Sequence, residues 1–158
     1  MPPQFKGGSL PYSLNRLATA YSKVGQIEKG LGILNEAFAI AYPNGELQNE
    51  PPRYWLKGQL TLQKSEVRGL ESEVSKSPIL DLQGEAEACF LKAIEIAQRQ
   101  KAKSWELRAA TSLARLWQQQ GKKPEAHKLL SEVYNWFTEG FDTKDLQEAK
   151  ALIEELNP

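Results

Sequence analysis

The side chains best suited to chemistry in this sequence stand apart from one another. His127 is the only histidine and Cys89 the only cysteine. A nucleophilic pair needs the thiol and the imidazole within hydrogen-bond reach. Here they fall in different predicted helices, His127 beside Ala126 and Cys89 beside Phe90. A metal site needs clustered thiols, imidazoles and carboxylates, and neither residue has a second thiol or imidazole to cluster with. They read as a surface histidine and a small core thiol. Gly121-Lys122-Lys123 has the sound of a phosphate loop, which requires Gly, four residues, then Gly-Lys-Ser/Thr. Leu116 stands where the first glycine belongs and Lys123 where the hydroxyl belongs, so the segment reads as a helix-hairpin turn with solvated lysines. Acidic pairs such as Glu85/Glu87 and Glu154/Glu155 read as solvated helix faces, because paired acid and base roles need a pocket that no motif supplies. No catalytic residue, cofactor site or metal ligand is assigned, and the chain is not expected to be an enzyme.

Charge argues against nucleic acid as a partner. Twenty Lys and Arg balance twenty Asp and Glu, with a pI near 6.6, so no net field draws the chain to a polyanion. Arg99, Lys101 and Lys103 form a short basic stretch, read as a helix C-terminus that favours cations. A single cysteine allows no internal disulfide, which fits a reducing, cytoplasmic setting. No run approaches the ~18 apolar residues of a membrane span, and Met1 to Gly8 lacks the apolar core of a signal peptide. A length of 158 residues suggests one domain.

The elements that would position any site emerge from an internal repeat. Adding 96 to Leu14, Leu17, Ala18, Tyr21, Gly25, Gly30, Leu34 and Ala37 gives Ala110, Leu113, Ala114, Trp117, Gly121, Ala126, Leu130 and Val133. Each position keeps its character. The first four mark one face of a helix. The small residue admits a neighbouring helix, the aromatic fills the space between, and the glycine supplies a left-handed turn. The last three mark the facing side of a second, antiparallel helix. A middle copy is split. Its first half, Tyr54, Gly58 and Thr61, is shifted by 40 and its second, Ala86, Phe90 and Ala93, by 56. The difference of 16 predicts an insertion at 65–80, inside the hairpin turn and ending at Ser77-Pro78. Lys57 is the weakest match, a lysine whose stem can pack while its charge snorkels.

The resulting map is a leader over 1–8, helices near 10–24, 27–42, 52–64, 82–100, 104–120 and 123–138, and a final helix near 143–156. Asp142 or Thr143 is placed to cap that last helix, whose apolar stripe is Leu146, Ala149, Ile153 and Leu156. The predicted fold class is all-α, a right-handed superhelix of three helical hairpins with residues 143–158 as a terminal cap.

Over Leu14–Ala37 and Ala110–Val133 the spacing resembles that of tetratricopeptide repeats, over about residues 9–138. A narrower resemblance lies in Gly84-Glu85-Ala86-Glu87-Ala88-Cys89-Phe90-Leu91-Lys92-Ala93-Ile94-Glu95-Ile96-Ala97, in Lys103 to Trp117, and in Tyr134-Asn135-Trp136-Phe137-Thr138-Glu139-Gly140-Phe141-Asp142-Thr143 with Asp145-Leu146. These look like the C-terminal repeat region of large bacterial predicted ATPases, many of which also carry an adenylate or guanylate cyclase domain. The resemblance implies a repeat module and imports no enzyme. It departs from the family around Tyr42 to Arg53 and at 65–80.

What the tetratricopeptide resemblance implies is a scaffold that binds a protein or peptide along the groove lined by the first helix of each hairpin. The residues left for that groove are Tyr12, Asn15, Thr19 and Ser22, then Trp55, Gln59 and Leu62, then Arg108, Thr111, Arg115 and Gln118. Arg108 and Arg115 sit two turns apart on one side, placed to grip a carboxylate, and Trp55 is placed as an aromatic anchor. The peptide-clamp residues of chaperone-binding repeats do not match beyond Asn15 and Arg108, so chaperone binding is not expected. The aromatic tail, Tyr134, Trp136, Phe137 and Phe141, reads as a packing layer or as a docking and self-association surface. The alternative function is a small-ligand sensor.

Overall fold

The structure, a computed structural model, describes residues 10–44, 50–70 and 76–157. Among these residues the fold is all-α with no strand, in seven helices: α1 (Leu10–Lys23), α2 (Ile27–Asn44), α3 (Glu50–Gly69), α4 (Lys76–Arg99), α5 (Lys103–Gln119), α6 (Lys123–Tyr134) and α7 (Lys144–Leu156). The expected leader lies outside the described residues. No described helix is long and apolar enough to cross a membrane.

The chain divides into two compact units, 1–86 and 87–158. The division falls inside α4 and cuts the expected middle repeat between Ala86 and Phe90. In chains built of hairpins each element touches only its neighbours, so contact density has natural gaps.

The two units repeat one arrangement. In the first, α1 pairs with α2 and α3 packs against both. In the second, α5 pairs with α6 and α7 packs against both. Ala18, Leu34, Leu56 and Leu60 form the first core, with Ile27, Leu31, Phe38 and Trp55 packed around it. The second core includes Ala110, Leu113, Ala114, Ala126 and Leu130, all fully buried, with Leu146, Ala149, Leu152 and Leu156 contributed by α7. Leu152 takes the buried place expected of Ile153, which is half-buried. Lys57 packs as its stem allows, with Nζ 5.7 Å from the centroid of the Phe38 ring, a cation–π contact.

The helix ends explain the sharp turns. Gly25 has φ +77° and Gly121 φ +80°. In each case the glycine N–H donates to the carbonyl three residues back, at Ser22 and Gln118, and the next N–H donates five back. Gln26 N reaches Tyr21 O at 2.9 Å and Lys122 N reaches Trp117 O at 2.8 Å. This pair of bonds satisfies carbonyls that the helix leaves open.

The same pair closes α4, where Lys101 N donates to Gln98 O and Ala102 N to Ala97 O at 2.8 Å. The left-handed position there is Lys101, at φ +57°. A residue read from sequence as part of a basic stretch therefore does a glycine's job, against the Cβ strain of left-handed backbone. Lys101→Gly is expected to stabilise the protein by about 0.5–1 kcal/mol, while Gly121→Ala destabilises it by about 1 kcal/mol. Urea melts of the two variants check the opposite signs.

The predicted insertion at 65–80 is largely helix. α3 continues through Ser65 to Gly69 and α4 begins at Lys76, while 71–75 lie outside the described residues. Pro78, taken as the end of a loop, sits in the first turn of α4, where a proline lacks only an N–H that the helix would leave unpaired. Pro51 in α3 and Pro124 in α6 use the same tolerance. α6 ends at Tyr134 rather than 138. There the bonding tightens from Asn135 N to Ser131 O into i→i−3 turns, Trp136 N to Val133 O and Phe137 N to Tyr134 O. Thr143 holds the N-cap position of α7 in extended backbone, yet neither it nor Asp142 makes a capping side-chain bond.

Candidate binding groove

In the first unit, α1 and α3 lie side by side and leave a groove of about 240 Å³ between them. Thr19 and Ser22 of α1 and Trp55, Gln59 and Leu62 of α3 line it together. These five are among the residues that sequence assigned to a groove face. All but Trp55, which also packs on the core cluster, lie off the face on which Ala18, Leu56 and Leu60 are buried, and Leu56 lies at the groove floor. Tyr12 is a residue about whose side chain nothing is described.

Polar side chains join the two walls of the groove. Ser22 Oγ donates to Gln63 Oε1 at 2.9 Å, and Gln63 Nε2 donates back to Ser22 O at 3.5 Å. This strap joins α1 to α3. Thr19 Oγ1 is turned inward, donating to Asn15 O at 2.9 Å, so Thr19 offers its methyl to the groove and little hydrogen bonding. Trp55 leans on the core cluster with part of its ring and remains half-buried. Gln59 is half-buried, and among the described residues its amide has no partner. An amide carries two donors and an acceptor, which suits the alternating N–H and C=O groups of a peptide backbone.

Asn15 departs from the expectation. It is buried and does not line the groove, and its Oδ1 accepts no hydrogen bond among the described residues.

The second unit treats its predicted groove residues differently. Arg108 Nη2 meets Asp145 Oδ2 at 3.0 Å, Arg115 Nη2 lies 3.8 Å from Glu148 Oε2, and Gln118 Nε2 donates to Glu155 Oε2 at 3.3 Å. The guanidinium of Arg108 also stacks over Trp105, 4.6 Å from the ring centroid. Thr111 is buried and donates to Leu107 O at 2.8 Å. The arginines do grip carboxylates, but those of the chain's own α7. The pairs are half-exposed, so each is worth only about 0.2–1 kcal/mol. One signal in the sequence pointed to these pairs: Asp145, Glu148 and Glu155 share one face of α7, as Arg108, Arg115 and Gln118 share one face of α5. An acidic stripe facing a basic one was a signal for packing.

No protein-family model, curated protein or solved structure matches this chain. Its chemistry therefore has to be judged from the geometry alone. His127 Nδ1 lies 3.5 Å from Ser131 Oγ on the same helix, and Cys89 is buried in α4. Among the described residues no three His, Cys, Asp or Glu side chains gather where they could hold a metal. The most enclosed carboxylate, Glu106, accepts from Lys103 Nζ at 3.0 Å and Gln98 Nε2 at 3.1 Å. That pairing ties the end of α4 to the start of α5.

Proposed function

We propose that this chain is a protein-interaction scaffold that binds a polypeptide along the α1–α3 groove. The observation that supports this reading is the convergence of Trp55, Gln59 and Leu62 with Thr19 in one concavity, with the Gln59 amide open. Such a surface suits an extended segment, with an apolar side chain against Trp55 and Leu62 and backbone groups on Gln59. In this reading the chain does no chemistry of its own. The resemblance over Gly84–Trp117 and Tyr134–Thr143 extends the proposal to a regulatory module of an ATPase or cyclase signalling protein.

The test is selection of peptides from a display library on the full chain. Selected peptides are expected to lose at least about tenfold in affinity on Trp55→Ala, the loss typical of an aromatic anchor. Trp55 also touches the core, so Gln59→Arg and Leu62→Glu serve as variants that leave the core intact. Peptides that bind all three variants as well as the parent protein would place the site elsewhere.

One observation favours a second reading, a small-ligand sensor. A hollow of about 630 Å³ in the second unit is walled by Leu107, Trp136, Phe137 and Leu146, with Ser104 and Thr143 also lining it. Trp136 and Phe137 meet edge-to-face at 5.2 Å. That volume falls within the usual range of ligand pockets, about 300–1,000 Å³. A metabolite that fills it is expected to raise the melting temperature by mass action, and Trp136→Ala to abolish the shift. A broad thermal-shift screen with no hit would remove this reading.

A further inference from the structure

α1 and α5 hold the same place in their units, yet their apolar stripes differ in what covers them. On α5 the stripe is Ala110, Leu113 and Trp117, of which Ala110 and Leu113 are fully buried. α4 runs along it. Glu87 Oε1 accepts from Trp117 Nε1 at 2.8 Å at one end, and Gln98 Nε2 donates to Glu106 Oε2 at 3.1 Å at the other. Between those two bonds α4 presents Phe90 and Ile94, both buried. Glu87, Phe90, Ile94 and Gln98 follow a 3-4-4 spacing, one face of a helix.

On α1 the corresponding stripe is Leu14, Leu17 and Tyr21, again on one face, with Val24 in the turn just beyond the helix end. It lies on the far side of Ala18 from the groove residues Thr19 and Ser22. Here Leu17 is 42% exposed and Val24 69%. Tyr21 is half-buried, and among the described residues its hydroxyl has no partner. Leu14 is larger than its counterpart Ala110 and Leu17 matches Leu113, yet among the described residues nothing pairs with the Tyr21 hydroxyl as Glu87 pairs with Trp117.

We infer that this outer face of α1 docks an amphipathic helix of a partner polypeptide with the covering pattern of α4: an acidic residue, an aromatic three positions on, and a branched apolar residue four beyond that. The carboxylate stands where Glu87 stands and accepts from the Tyr21 hydroxyl as Glu87 accepts from Trp117. The aromatic and branched residues cover Leu17 and Leu14. The site is separate from the α1–α3 groove and does not depend on it.

The test is titration of the full chain with a fluorescent peptide of residues 82–100. Saturable binding is expected, weakened at least tenfold by Leu17→Glu, a few-fold by Tyr21→Phe, and not by Gln59→Arg. Leu17→Gln is the milder companion variant, and circular dichroism checks that both remain folded. No saturable binding would overturn the inference. So would equal binding to Leu17→Glu, the result if the peptide merely exchanged with the chain's own α4. Self-association abolished by Leu17→Glu, without peptide binding, would assign the face to a second copy and overturn it as well.

Discussion

Phe90→Ala is expected to lower the unfolding free energy by about 3–5 kcal/mol, the range for removing a fully buried aromatic ring. Phe90 has no exposed surface, so its whole ring is lost from the interior. The cost has two parts, the transfer of the ring from water and the cavity it leaves. The second part depends on whether neighbours can collapse inward. On its own helix the buried neighbours are Ala86, Ala93, Ile94 and Ala97, of which only Ile94 has a side chain long enough to move inward. The cavity therefore closes only in part, and the loss stays within that range. Leu91→Ala is the control. It removes a large aliphatic side chain one position along, but Leu91 is 45% exposed, and the expected loss is below ~1 kcal/mol. Urea denaturation followed by tryptophan fluorescence reads both, since Trp105, Trp117 and Trp136 all lie in the second unit with most of α4. A lower midpoint with an unchanged slope is the expected signature. With total stabilities of about 5–15 kcal/mol, a loss this large leaves a measurable unfolded population in water. A loss under ~1 kcal/mol for Phe90→Ala would mean that α4 is not held as the structure places it.

Much of this architecture is legible in the amino-acid sequence, and the reasons differ from residue to residue. Ala18 with Ala114, Leu34 with Leu130, and Gly25 with Gly121 could be paired on paper because each has one physical solution at its position: a close approach, a filled core, a left-handed turn. Lys101 escaped because its conformation is fixed by the two hydrogen bonds that close α4, not by its own preference. The helical stretch on either side of 71–75 escaped because serines and charges are read as loop, whereas on a long helix they simply face water. Leu17 reads as packing because it falls on the apolar face repeated at Leu113, and an isolated hairpin pattern cannot say whether a further helix lies on its outer side.

The groove residues show the same division. Thr19, Trp55 and Gln59 fell out of a subtraction, the positions left after the core was assigned, and the structure gathers them in one concavity. Arg108, Arg115 and Gln118 meet Asp145, Glu148 and Glu155 of α7, contacts the subtraction could not foresee because it treated α7 as an end cap and gave its charges no target. Asn15 is buried, where sequence has no reason to put a polar side chain.

Gly30→Leu carries the second large effect, and it bears on how the groove is built. A Cβ at Gly30 would lie 3.2 Å from Leu60 Cδ2, 3.3 Å from Leu60 Cδ1 and 3.5 Å from Ala18 O. The glycine thus sits where α1, α2 and α3 converge. Leu60 is fully buried, so it cannot turn out to solvent to make room. A leucine at position 30 needs volume that Leu60 holds, and overpacking of this kind costs roughly 1–3 kcal/mol. Gly30→Ala separates the two terms. Replacing a helical glycine gains about 0.5–1 kcal/mol, set against the shift forced on Leu60, so a net change near zero is expected. The equivalent position in the second unit is already Ala126, fully buried, and Ala126→Gly is expected to lose the helix-propensity term outright. The decisive measurement is a double-mutant cycle. Leu60→Ala alone costs about 2–5 kcal/mol through the cavity it leaves, and Gly30→Leu refills part of that space. The double variant should therefore be more stable than the sum of the single losses by about 0.5–3 kcal/mol. Additive losses would show that Gly30 and Leu60 do not share a contact. Because Leu60 lies on α3 beneath Trp55 and Gln59, Gly30→Leu should also push α3 outward, and peptide binding in the groove should fall along with stability.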